Sequence, residues 1–409
     1  MKALNVFAPP SVSVRVTQPI IFVSPREGDG PPAGPDHMLH GTATIHLRQS
    51  TVVRQLRVEL VGPAELSVEG RESTCETLRC ELRFDIFAEL RAGDHSFAFD
   101  FVVPPNTAVN ERSRFGRVIH KVRASIEGLG IFGSTISDEQ RILVVAIAPP
   151  MPGGASQAPF DVDIQGFNED LGPYRIQARS ELATVGGLID YGLTLFDPPE
   201  GCAILKTDGV FHETVTVKTP DGREHHPEPT DRRCFLIDAL REPDIKDPPL
   251  RTPAIHEPAV IPLPDLPLTT LHNQTWSIQH RARIPHDNLL RASTSPFTDT
   301  PIRYTHELQI AIVYRNAEGI ERVMTAARPI SLLSCCARYA SVILPAYSVE
   351  ADEQPAFDPR TRMFECICGL SAKQVLDEQD GLASVHRINS ADSVDEMRTG
   401  SKIGEIVAG

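Results

Sequence analysis

Apolar residues recur at every second position in short runs through the first 145 residues, the runs are cut by Gly, Pro, Asn and Asp, and no long helical period lies between them. Side chains alternate across a strand, so such a run has one buried face and one wet face. HGTATIHLRQ puts Ile45 and Leu47 on one side, LRVEL does the same with Leu56, Val58 and Leu60, and RVIHKVRASIEG with Val118, Val122 and Ile126. In LRAGDHSFAFDFVVPP, Phe97, Phe99 and Phe101 share a face, Gly93-Asp94 opens the strand and Pro104-Pro105 ends it. RILVVAIA, residues 141–148, is apolar throughout and suits a strand buried on both faces.

Regular short strands with turn signals between them indicate a β-sandwich. A chain of 409 residues is long for one core, and the composition changes at 149–159, PPMPGGASQAP, where little could pack. Beyond it YRIQARSELA, GGLIDYGLTLF, GVFHETVTVK, HELQIAIVYR and RPISLLSCC supply a second set of strands. The expectation is all-β: two consecutive immunoglobulin-like β-sandwiches at 1–148 and 160–342, a linker at 149–159, and a tail at 343–409 that is polar and largely disordered. A proline-dense insert, 219–268, reads as an extended surface loop, because closely spaced prolines exclude helix and central strand. In the tail, Ser371 and Gln374 form a capping-box pattern ahead of one short helix.

The net charge of −14 opposes general attraction to nucleic acid or anionic lipid, and no nucleic-acid partner is expected. No run is long enough for a membrane span, and MKALNVFAPP is too short an apolar stretch for a secretory signal, so a cytoplasmic location is expected. The eight cysteines lack paired CxxC spacing and read as reduced thiols; Cys366 and Cys368 are a lone C-x-C pair. His225-His226 and Cys234 have the wrong spacing for a closed tetrahedral metal site, and His306, on the face of Leu308 and Ile310, reads as a core histidine. GxSxG, P-loop, HExxH and Gly-rich dinucleotide motifs are absent, so neither enzyme activity nor a cofactor or metal is expected.

One local departure from the acidic balance stands out. Arg112, Arg114, Arg117, Lys121 and Arg123, with His120 among them, fall within twelve residues, and Arg117, Lys121 and Arg123 share the face opposite Val118 and Val122. Such a patch could meet an acidic cytoplasmic segment, a phosphorylated cargo or anionic lipid.

LRVELVG at 56–62, LRAGDHSFAFDFVVPPN at 90–106 and ERSRFGRVIHKVRASI at 111–126 together resemble the amino-terminal domain of the arrestin family, with His120 where a tyrosine is usual. GGLIDYGLTL, IRYTHELQIAIVYR and RPISLLSCC resemble its carboxy-terminal domain, in the family's order. The element Leu344-Pro345-Ala346-Tyr347 stands where fungal α-arrestins tend to carry PPxY or LPxY, with Leu344 replacing the first proline. The resemblance implies that Leu344, Pro345 and Tyr347 dock on a WW domain of a HECT-type ubiquitin ligase as a preformed extended segment. It further implies an adaptor for endocytosis and protein transport that binds cytoplasmic regions of membrane transporters or receptors through the basic patch and acts in the ubiquitination of cargo. Such a protein is cytoplasmic and is recruited to plasma membrane and endosomes with peripheral membrane contact. Lys121 is then a candidate acceptor for ubiquitin itself. Alternatives with the same fold are a signalling scaffold of the ambient-pH pathway type, an endosomal sorting subunit without ligase recruitment, or a structural sandwich protein with no cargo.

Overall fold

The computed structural model describes residues 9–26, 38–129, 134–147, 160–180, 183–238, 260–262, 275–286 and 289–338. Over these the chain forms two β-sandwiches with no α-helix among the described residues. The first contains β1 (Ser11–Val16), β2 (Ile20–Val23), β3 (Met38–Leu47), β4 (Thr51–Val68), β5 (Arg71–Leu90), β6 (Gly93–Val102), β7 (Glu111–Ser113), β8 (Gly116–Val118), β9 (His120–Ile126) and β10 (Ile136–Ala146). One sheet runs β1-β3-β6; the other runs β2-β10-β9-β4-β8-β7, with β5 on the opposite side of β4. The second contains β11 (Phe160–Asn168), β12 (Gly172–Ser180), β13 (Leu188–Leu195), β14 (Ala203–Lys218), β15 (Glu224–His225), β16 (Thr230–Asp238), β17 (Val260–Pro262), β18 (Trp276–Arg283), β19 (Ile302–Arg315) and β20 (Glu321–Ile330), then a 3₁₀ turn at Cys335–Arg338. Its sheets run β11-β12-β13-β18 and β17-β16-β14-β19-β20, with β15 on β14.

The alternating runs build these cores as the pattern requires. Ile45, Leu47, Leu56, Val58, Leu60, Val122, Ile126, Phe99 and Phe101 are buried in the first sandwich, with Phe97 packed against them. Each such side chain contributes about 1.5–3 kcal/mol by leaving water. Residues 142–145 of the apolar run do meet apolar neighbours on both faces: Ile142 and Val144 face the first core, while Leu143 and Val145, with Ile20 and Phe22 of the adjoining β2, pack into the core of the second sandwich. One strand pair thus belongs to both layers and ties the sandwiches together.

The strand β4 overruns its own sandwich. With β5 it forms a long hairpin closed by Glu69-Gly70, both at positive φ, as a two-residue hairpin turn demands. Near its tip, Leu66 and Val68 pack on Val215, Val217, Ile302 and Tyr304 of the second sandwich.

His120 occupies an inward position between Val118 and Val122 and is fully buried. It fits because residue 62 is glycine: a Cβ there would lie 2.8 Å from Nε2 of the ring. Its Nδ1–H donates to Asn110 Oδ1 at 3.0 Å, an oxygen that also accepts the Val144 N–H, and this assigns the proton to Nδ1. Burial pulls its pKa from 6.5 down to about 4.

Two expectations need correction. The insert 219–268 is not a loop throughout: β15, β16 and β17 lie inside it, and eight residues of β16 (Thr230–Asp238) pair with β14 before the densest prolines begin. Only Arg328–Ile330 of RPISLLSCC is strand; Leu332 then fills the core and Cys335 and Cys336 turn in a 3₁₀ helix. The runs read from the sequence do not cover β1, β2, β5, β11 or β18, although Phe160, Val162 and Ile164, and Trp276, Ile278 and Ala282, alternate in the last two.

Candidate functional site

The basic run of the first sandwich is carried by the β7–β8 hairpin and β9, whose alternation continues from Gly116 to Ile126. Arg112 lies opposite Arg117 in the β7–β8 ladder, and Arg114, in the connecting turn, sets its guanidinium 4.7 Å over the Phe115 ring. Arg117 is bidentate on Glu65 of β4, at 2.8 and 2.9 Å. Lys121 Nζ lies 2.7 Å from Glu139 Oε2 of β10, and Arg123 reaches the same oxygen at 3.3 Å. The bond from Lys121, followed by that from Arg123, holds the Glu139 carboxyl below the usual carboxylate range. Arg117, Lys121 and Arg123 are therefore paired with carboxylates from neighbouring strands. His120 does not join them, since it faces the core. The side chain of Lys121, the candidate ubiquitin acceptor, is 21% exposed.

A second cluster lies at the seam between the sandwiches. Arg291, in the β18–β19 connection, donates from Nε to Glu111 of β7 at 3.0 Å, with both side chains nearly buried. The Arg291 backbone N–H donates to Glu213 Oε2 of β14 at 2.8 Å. His306 Nε2 lies 3.3 Å from that oxygen, and its Nδ1 lies 2.8 Å from Ser293 Oγ, which accepts the Leu332 N–H. A neutral imidazole with its proton on Nε2 satisfies every member: Leu332 N–H to Ser293, Ser293 O–H to Nδ1, Nε2–H to Glu213. Burial pushes the Glu213 carboxyl up, but bonds from His306, the Arg291 N–H and Thr230 outweigh it, and the net shift is downward. Close by, Asp299 N–H bonds Asn106 C=O at 2.8 Å across the seam. His306 is thus a core histidine, as its position beside Leu308 and Ile310 suggested, and also a member of the network beside the joint.

The remaining candidates separate. His225 Nδ1 approaches Glu69 Oε1 at 3.6 Å, joining the β4–β5 tip to β15; His226 meets Thr216; and Cys234 points into the second core, where burial pushes its thiol up. Cys75, Cys80, Cys202 and Cys234 are free thiols. Leu344, Pro345 and Tyr347, the pair Cys366 and Cys368, the capping box at Ser371 and Gln374, and the 149–159 linker lie outside the described residues.

Among known proteins, the chain matches the mouse arrestin domain-containing protein 1 at 29% identity over 98 residues, 23% of this chain and 23% of that protein. The human arrestin domain-containing protein 1 matches at 28% over 96 residues, 22% of each. The likeness supports the arrestin family. It spans under a quarter of either relative's length. No family model matches the chain. Twin sandwiches with this likeness support an arrestin-like adaptor in the coarse sense.

Proposed function

We propose that this chain is an adaptor of the fungal α-arrestin kind, which links membrane transporters or receptors to a WW-domain HECT-type ubiquitin ligase for ubiquitination and endocytosis. The reading is carried by one sequence observation: Leu344-Pro345-Ala346-Tyr347 follows shortly after Arg338, the last described residue of an arrestin-like pair of sandwiches. The adaptor performs no chemistry on the cargo. It raises effective concentration by holding cargo at one end and ligase at the other, so two modest affinities multiply.

Cargo contact falls to the face of Arg112, Arg114, Arg117, Lys121 and Arg123. Its ion pairs are exposed or half-exposed, and such pairs contribute about 0–1 kcal/mol. An incoming carboxylate or phosphate can therefore displace Glu65 or Glu139 at small cost, which suits a reversible contact better than a permanent one. Lys121 is the proposed ubiquitin acceptor on this face. Peripheral recruitment to plasma membrane and endosomes follows the cargo.

The test is capture of the full chain by isolated WW domains from HECT-type ligases. Binding that vanishes with Tyr347→Ala is the expected result; equal capture of the variant removes ligase recruitment and leaves a scaffold.

A further inference from the structure

The outer face of the β1-β3-β6 sheet holds a constellation that no sequence motif announced. Ser13 on β1, His46 on β3 and Asp94 on β6 come from three adjacent strands in register: Ser11 lies opposite His46, and His46 opposite Asp94, so Ser13 sits diagonally from the imidazole. Ser13 Oγ is 2.8 Å from His46 Nε2, and His46 Nδ1 is 2.8 Å from Asp94 Oδ1. This is the bonding order of a serine nucleophile, its base and the carboxylate that orients the base. The acceptor Asp94 places the imidazole proton on Nδ1 and leaves Nε2 free to take the serine proton.

The same face carries its own control. His40 Nδ1 is 2.5 Å from Asp100 Oδ1, which reproduces the dyad. The β1 ladder, however, pairs residues 41–46 and ends before position 40, so no β1 serine faces His40. Among the described residues, of the two dyads only the one at His46 is completed by a hydroxyl. Two positions along β1 on the same face stands Arg15, which is exposed. Ser13 itself is half-buried and reachable.

We infer that Ser13 is a nucleophilic serine and a covalent acylation site, taking an acyl group from a thioester or activated ester. Ser13 Oγ attacks the carbonyl carbon; a new C–O bond forms, and the bond to the thiolate or alkoxide leaving group breaks. The Oγ proton passes to His46 Nε2 and from there to the leaving group. Nothing is oxidised or reduced. Asp94 is a positioning residue that touches only the imidazole. This site is independent of the adaptor reading: either can fail without the other.

The full chain is incubated with p-nitrophenyl acetate and, separately, with a fluorophosphonate, and the modified residue is mapped by peptide mass spectrometry. Ser11 and Ser96, on the same face, serve as internal references. General-base assistance is worth about 10²–10⁴ in rate, so Ser13 is expected to react at least about tenfold faster than either reference. Ser13→Ala abolishes the adduct, His46→Gln brings the rate down to that of the reference serines, and Asp94→Asn lowers it less while shifting the pH profile. With the parent chain the rate levels off once the imidazole is neutral, which a merely structural hydroxyl would not do. Thermal melts of the variants confirm that each is folded. No adduct, equal labelling of Ser11, Ser13 and Ser96, or a rate indifferent to His46→Gln would overturn the inference.

Discussion

Glu111, Glu213 and Arg291 are the same kinds of residue as Glu139, Lys121 and Arg123, yet the two sets behave as different materials. At the seam the Arg291 and Glu111 side chains are 16% and 10% exposed, and the neighbouring Glu213–His306 contact is almost dry. On the β9 face the partners are up to 45% exposed. Water sets the difference. A buried charge that loses its partner has nowhere to find another, whereas an exposed one is solvated at once. The seam is therefore the place to hold two sandwiches in register, and the outer face the place to exchange partners.

The largest test of this contrast is Arg291→Met. It leaves the Glu111 carboxylate nearly buried without that guanidinium, and the expected loss in urea denaturation is about 3–5 kcal/mol. The double variant with Glu111→Gln should recover part of it, because two neutral groups need no mutual compensation. A loss under 1 kcal/mol would make the seam no different from the surface.

A pH experiment sharpens the burial side. His120 is held neutral with its pKa lowered from 6.5 to about 4. Unfolded chains take up a proton at that site as pH falls through 6.5 while the native state does not until about 4. Stability from this residue is thus full above pH 6.5 and lost on the way down to about 4, by about 3 kcal/mol on the usual conversion. His120→Phe should flatten that window when urea midpoints at pH 7 and pH 4.5 are compared.

Next in size is Gly62→Ala. Its Cβ would meet the His120 ring at 2.8 Å and Thr77 Oγ1 at 2.9 Å, so overpacking of about 1–3 kcal/mol is expected in the same assay. Smallest are Arg117→Gln and Lys121→Gln, each expected to cost at most about 1 kcal/mol. Together with Arg123→Gln they should nevertheless abolish recruitment of the chain to membranes that display cargo. Unchanged recruitment would remove the patch from the proposed function.

What could be read from the chain follows from range. Period-two runs such as Phe97-x-Phe99-x-Phe101 and Leu56-x-Val58-x-Leu60 are local, so the two sandwiches and strands such as β3, β4, β6, β9, β13 and β19 were legible before any coordinate. The strand β16 was missed because TDRRCFLID has no clean period and precedes a proline-dense stretch; pairing with β14, not propensity, makes it a strand. The patch was legible as five cations but not as a paired surface, because Glu65 and Glu139 arrive from β4 and β10. Nor could spacing have flagged Ser13, His46 and Asp94, which lie 33 and 48 residues apart in successive steps.

By itself, then, the sequence determined which faces avoid water and where turns break the runs, since both depend on neighbours one to four positions away. Only the tertiary structure decided which charges meet: the Arg291–Glu111 pair spans 180 residues and the His306–Glu213 pair 93. Electrostatic energy depends on distance through space and on the water excluded along it, and sheet pairing sets both.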